Sequence, residues 1–171
     1  AVSMAAMAAL RSGCGLVSVA THPTHAVNIN LAQPEIMSHA VANRDDLKNL
    51  IGSADVIILG PGLGQSAWAK ELFQAVVKTE KLLILDADGL NLLANEAAQK
   101  NNWILTPHPG EFKRLSKSDN RKAVSEFAKK HHCILVLKGH QTVIASPDGK
   151  ITTNKTGNVG MATAGSRTEE R

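Results

Sequence analysis

Tyrosine is absent from this 171-residue chain, and three Phe and two Trp are its only aromatic side chains. So sparse a set offers little surface on which bases stack, which argues against a nucleic-acid partner. Cysteine is scarce as well. Cys14 and Cys133 stand far apart without metal-ligand spacing, which excludes a disulfide scaffold and leaves two reduced core residues beside apolar runs. No apolar run is long enough to cross a bilayer, so no membrane partner is expected. Neither GxxxxGK[ST] nor a dinucleotide-type GxGxxG occurs, which removes the P-loop and Rossmann fingerprints. The alanine-rich opening, AVSMAAMAALRSG, lacks a basic leader and is interrupted by Arg11. It reads as a helix cut at its beginning rather than a signal peptide, and the expected location is cytoplasmic.

What is present is ordinary globular material: 43% hydrophobic and 20% charged residues, in a length that builds one domain with its own core. The formal charge of +4 suits an anionic small ligand; the basic residues are too scattered to form a nucleic-acid stripe. Five apolar runs recur: Gly15–Ala20, Asp55–Gly60, Leu82–Asp86, Trp103–Thr106 and Cys133–Lys138. They are nearly continuous in Val, Ile and Leu, the pattern of strands buried on both faces of a parallel sheet. Helical candidates lie between them at Ala67–Lys78, Gly89–Gln99 and Asn120–His131. This alternation predicts an α/β fold with a mostly parallel central sheet. One hairpin breaks the pattern, with strands Thr142–Ser146 and Ile151–Lys155 around an Asp-Gly turn.

Polar or glycine-rich stretches follow the carboxyl ends of four runs: GPGLG, DADGLN, TPHPGE and KGHQT. In open α/β sheets the crevice at those ends is where ligands bind. Gly60, Gly62 and Gly64 allow positive φ and close backbone approach before a helix start, or form an ordinary strand-to-helix turn. Asp86 and Asp88 either approach Mg²⁺ through water or bond a substrate hydroxyl, or else cap the loop and the following helix, Asp88 as its N-cap. His108, fixed between Pro107 and Pro109, either projects into the crevice or packs beneath its loop. Lys138 meets a phosphate as a point charge or is a solvated strand end. His22 and His25 have two-ligand metal spacing without a third ligand and read as a surface turn. His131 and His132 read as the end of a helix, where positive charge suits the dipole. Near the C-terminus, Gly157, Gly160 and Gly165 among small residues read as an anion-holding loop.

Taken together, LRSGCGLVSVAT, ADVIILGPGLGQS, LILDADGLNLLA, ILTPHPGEFKRL, LVLKGHQTVI and TGNVGMATAGS resemble the ADP-dependent NAD(P)H-hydrate dehydratases of the ribokinase-like superfamily. The resemblance implies a ribokinase-like sandwich with a mostly parallel central sheet and flanking helices, here incomplete. It spans residues 1–166 as a partial dehydratase domain and leaves residues 167–171 as an atypical tail. It implies an enzyme that repairs hydrated NADH or NADPH, using ADP (or ATP) with Mg²⁺ to drive off water. The outline is phosphorylation of the hydroxyl followed by elimination. For the substrate it implies Gly64 and the segment His108, Pro109, Gly110, Glu111, Phe112, Lys113 and Arg114. For the nucleotide it implies Lys138, Gly139, His140, Gln141 and Thr142, with the loop Asn158, Val159, Gly160, Met161, Ala162, Thr163, Ala164, Gly165 and Ser166. A homo-oligomer is expected.

The sequence departs from the family pattern after Ser166: Arg167 stands where a glycine belongs, and Thr168 where the family carries its catalytic Asp. No catalytic residue is therefore assigned, and impaired turnover is expected. Two other readings stay open, a ribokinase-like small-molecule kinase and a catalytically dead nucleotide-binding module.

Overall fold

The computed structural model describes residues 1–96, 102–118 and 120–156. It divides into two compact units, Ala1–Asp55 with Gly64–Thr79, and Val56–Leu63 with Glu80–Arg171.

The first unit begins with α1 (Val2–Arg11), β1 (Ser18–Thr21), α2 (Pro23–Ala32) and β2 (Met37–Ala40). β1 and β2 pair in parallel as a sheet of their own, Ser18 opposite Met37 through Thr21 opposite Ala40. Thus the first apolar run, expected at Gly15–Ala20, forms a strand that starts three residues later and ends one residue later, with a partner strand the sequence pattern did not announce. Ala6, Val19, Ile29 and Ile36 make a small core there, with Val2, Leu10 and Val17 against it. His22 corrects the surface-turn reading: it is the N-cap of α2, its Nδ1 accepting from the Thr24 amide, and Pro23 takes the first helical position. A 3₁₀ turn (Arg44–Leu47), capped by Asn43, leads into α3 (Lys48–Ser53). α4 (Ala67–Val77) starts at Ser66, whose side chain accepts from the Ala69 amide. Ala69, Leu72, Phe73, Val76 and Val77 recur at helical spacing and are all buried. Cys14 is exposed, so the expectation of two core cysteines holds only for Cys133.

The second unit is built on six strands in chain order: β3 (Val56–Leu59), β4 (Leu82–Leu85), β5 (Trp103–Leu105), β6 (Ile134–Leu137), β7 (Val143–Ala145) and β8 (Ile151–Thr153). β3 to β6 are parallel, and β7 and β8 continue antiparallel. The fold is therefore α/β with a mostly parallel sheet, as the alternating runs predict, and the β7–β8 hairpin turns at Gly149 with φ +83°. Between the strands lie α5 (Asp88–Leu93), α6 (Pro109–Ser116) and α7 (Arg121–His131). α5 ends before the expected Gln99, which lies outside the described residues; its N-cap is Ala87, with Asp88 at the first helical position, not the cap.

Register assigns the faces. Leu83, Trp103, Leu85, Leu105, Leu135 and Ala145 lie on one face and are all buried. α7 packs on β6 and β7, and Phe112 of α6 meets Phe127 of α7 edge-on at 5.8 Å. On the opposite face Val56, Ile58, Leu82 and Ile134 are 45%, 42%, 39% and 37% exposed. Among the described residues burial is thus one-sided, where the continuous apolar runs predict burial on both faces. The physical reason is placement. Side chains alternate between faces, so the residues adjoining the fully buried ones point away from that packed layer.

Candidate functional site

The carboxyl ends of β3, β4, β5 and β6 come out at one edge of one sheet, so the four loops singled out in the sequence do share an edge. The ladder continues past the strands. The Asp86 amide donates to Leu59 O at 3.1 Å, the Thr106 amide to Leu85 O at 3.1 Å, and the Lys138 amide to Pro107 O at 2.8 Å. Asp86, Thr106 and Lys138 are thereby held in a row.

Two charged side chains in that row meet. Lys138 Nζ donates to Asp86 Oδ1 at 2.6 Å, with 36% and 30% of the two side chains exposed. Lys138 is thus neither a bare point charge nor a solvated strand end. Asp86 already has a cationic partner, which weakens its reading as a Mg²⁺ ligand. Among the described residues no group of three His, Cys, Asp or Glu could hold a metal.

The glycines of GPGLG divide by role. Gly60 has φ +125°, and a Cβ there would come within 1.8 Å of Asp86 O and 2.5 Å of Gly89 N. A Cβ on Gly89 would meet Leu59 O at 2.5 Å. This pair lets the end of β3 pack against the start of α5, so Gly60 serves backbone packing. Gly64 belongs to the first unit and has φ +74°, but the space beside its α-carbon is open.

The TPHPGE segment is a helix start. His108 is the N-cap of α6: its Nδ1 accepts from the Gly110 amide at 3.0 Å, while the Glu111 carboxylate accepts from the His108 amide at 2.9 Å. With Nδ1 an acceptor, the neutral ring carries its proton on Nε2, which faces Glu111 Oε1 at 3.6 Å. Pro109 takes the first helical position, and Gly110 leaves room for the ring, since a Cβ there would meet His108 Cε1 at 2.8 Å. Pro107 is fully buried. The histidine expected to project into the crevice thus spends one ring nitrogen on its own helix. His108→Ala is expected to lower stability by about 1 kcal/mol, as loss of a cap does. A urea-unfolding midpoint reads this, and His108→Asn should restore most of the difference.

Further along the segment the structure separates side chains that the family resemblance grouped. Phe112 is 0% and Glu111 6% exposed, so their side chains belong to core and cap rather than to a ligand surface. Lys113 and Arg114 are exposed, and Arg114 Nε donates to Asn91 Oδ1 at 3.1 Å, tying α6 to α5. In KGHQT, His140 and Gln141 are exposed, and Thr142 Oγ1 closes the turn on Gly139 O at 3.2 Å. The glycine-rich loop Asn158–Ser166 and the positions Arg167 and Thr168 lie outside the described residues.

Elsewhere in the second unit a cavity of about 70 Å³ is lined by Leu93, Trp103, Leu115, Phe127, His131 and Cys133 among others. Its walls are mainly apolar. Burial pushes the Cys133 thiol up to about 11, so it stays protonated. His131 stacks on Phe127 at 4.1 Å, and burial, with Lys130 nearby, lowers its pKa. It is the last residue of α7, as the sequence reading has it, and its burial disfavours the positive charge expected there.

The Asp86–Lys138 contact and the Gly60–Gly89 fit are what residue-by-residue reading misses. One signal for the first was available. Once β4, β5 and β6 are adjacent, residues following β4 and β6 sit two strands apart, about 10 Å, within reach of a lysine and an aspartate together.

The sequence model of the NAD(P)H-hydrate dehydratase family matches residues 1–166. The bifunctional NAD(P)H-hydrate repair enzyme Nnr of Coxiella burnetii is 46% identical over 172 residues, covering 96% of this chain and 35% of that protein. The ADP-dependent (S)-NAD(P)H-hydrate dehydratase of Neisseria meningitidis is 37% identical, covering 95% of this chain and 59% of that protein. Among solved structures, the ADP/ATP-dependent NAD(P)H-hydrate dehydratase of Bacillus subtilis, co-crystallized with ATP/Mg²⁺ and soaked with CoA, superposes with a TM-score of 0.78. It is 32% identical, over 96% of this chain and 63% of that one. The chain therefore spans about a third of the bifunctional relative and about three fifths of the single-function ones. A match running through every motif described above, at such identity, places the chain in the NAD(P)H-hydrate dehydratase family.

Proposed function

We propose that this chain carries the nucleotide- and substrate-facing edge of an ADP-dependent hydro-lyase that removes water from hydrated NADH or NADPH. The observation that carries the reading is the row of Asp86, Thr106 and Lys138 at one sheet edge, in a chain whose relatives bear that activity in their names. A lysine at the mouth of a parallel sheet suits the phosphates of ADP, and a net charge of +4 suits two anionic ligands. In the reaction the substrate hydroxyl gives up its proton and takes the terminal phosphoryl group of ADP, releasing AMP; phosphate then leaves as the neighbouring ring carbon loses a proton and the nicotinamide double bond re-forms. The Lys138 ammonium bonds the nucleotide's phosphates. Within the first unit, taken by itself, the open space beside Gly64 admits a ligand close to the backbone. Mg²⁺ fits as a companion of the nucleotide phosphates, since Asp86 is taken by Lys138 and the described residues form no cage of their own.

The test is recovery of NADH absorbance from its hydrate with ADP present. Turnover that depends on ADP, and falls at least about tenfold in Lys138→Met, is the expected result. ADP-independent recovery overturns the ADP-dependent reading, whereas phosphorylation of an alcohol without loss of water favours the kinase reading. The cytoplasm, where ADP and reduced dinucleotides meet, is a compartment that suits this function. Exposed apolar side chains such as Leu16, Val27 and Leu31 support the expected self-association, which sedimentation velocity reads directly.

A further inference from the structure

Asp86 and Lys138 follow β4 and β6, and their side chains meet with β5 lying between those strands. Their backbones are fixed on several sides. The Asp86 amide donates to Leu59 O, the Asp86 carbonyl accepts from the Gly89 amide at 3.0 Å, and the Lys138 amide donates to Pro107 O. The side chains are about a third exposed, so water screens the pair and its contribution to stability is small. Its effect is geometric. A lysine stem has four carbons and a rotatable ammonium with three N–H donors. An Asp86 bond to one of them restricts the stem and sets the directions of the other two.

We propose that Asp86 is a positioning residue: its carboxylate holds the Lys138 ammonium at the mouth of the sheet so that the two remaining N–H groups meet the phosphates of a nucleoside diphosphate. The inference rests on the reading of this edge as the nucleotide site. A lysine held by a carboxylate partner before it meets phosphate is a device protein kinases also use. A carboxylate repels phosphate as well, but at a partly exposed site water screens that repulsion. The ammonium, in direct contact with both anions, is the nearer charge to each.

The experiment is a calorimetric titration of ADP into the full chain and into Asp86→Asn, Lys138→Met and the double variant, with urea midpoints to confirm folding. Lys138→Met should weaken ADP binding by at least about tenfold, and Asp86→Asn by roughly 3–10-fold. The double variant should bind no more weakly than Lys138→Met alone, because Asp86 acts through the lysine. An equal loss from Asp86→Asn in both backgrounds would show a structural role instead. Tighter binding in Asp86→Asn would show that repulsion wins, overturning the positioning role while leaving the nucleotide site intact. Unchanged binding in Lys138→Met, or no binding by the parent chain, overturns the site and the inference together. Should Asp86→Asn fail to fold, Asp86→Glu, which keeps the charge and displaces it by one methylene, carries the same comparison with an intermediate loss expected.

Discussion

Gly60→Ala should destabilise the second unit by on the order of 4 kcal/mol, combining overpacking with a disfavoured backbone conformation. A new methyl would lie 1.8 Å from the Asp86 carbonyl oxygen and 2.5 Å from the Gly89 nitrogen. Both are backbone atoms, held by the Asp86–Leu59 and Gly89–Asp86 hydrogen bonds, so neither yields cheaply. The φ of +125° adds strain that any L side chain meets. Gly64→Ala supplies the control from the same five-residue motif. Its φ of +74° is also left-handed, but its methyl would enter open space, so about 1–2 kcal/mol is expected. Urea unfolding of the two variants measures the difference. Equal midpoints would show that the interlock of Gly60 with Gly89 does not exist in solution.

Phe112→Ala should be the second large loss, about 3–5 kcal/mol, the range for emptying a buried phenylalanine site. Its ring is 0% exposed and lies edge-on to Phe127. The same variant separates packing from recognition, because Phe112 falls in the segment that resembles a substrate-binding stretch. Measured where the variant is still folded, ADP affinity should stay within about twofold of the parent. A nearly unchanged midpoint with lost ligand binding would reverse the assignment and place the ring at the ligand.

Much of this was open to a reader of the residues, and the parts that were not share physical causes. The four runs that became β3 to β6 were readable because each is a short, mainly branched apolar block followed within two residues by glycine, aspartate or proline. β2 was not, since Met-Ser-His-Ala has no β-branched residue and its Met37 is 40% exposed. α2 escaped for a similar reason: Val27 and Leu31 are 69% and 78% exposed, so no apolar face repeats. His108 was recognised as fixed, but its job was hidden because histidine is not among the usual N-caps. Its spacing to Glu111, three residues on, is nevertheless that of a capping box. Asp86 and Lys138 were each singled out, yet their meeting depends on strand order, which no local stretch records. The same limit applies to Gly60 and Gly89, whose fit needs the end of β3 and the start of α5 to touch.

Strand order also bears on how the chain is made. β6, β7 and β8 follow one another closely and pair with their nearest neighbours, so this meander closes over short loops, on a timescale of about 1–10 μs for a hairpin. β5 must instead wait for β6. On a ribosome the chain from Leu105 to Ile134 takes roughly 1.5–6 s to emerge. Through that interval β5 is an edge strand whose unpaired amides and carbonyls invite a neighbouring nascent chain. At three residues, Trp103–Leu105, it is as short as any strand of its sheet. That brevity leaves little ladder for a wrong partner to grip before the right one arrives.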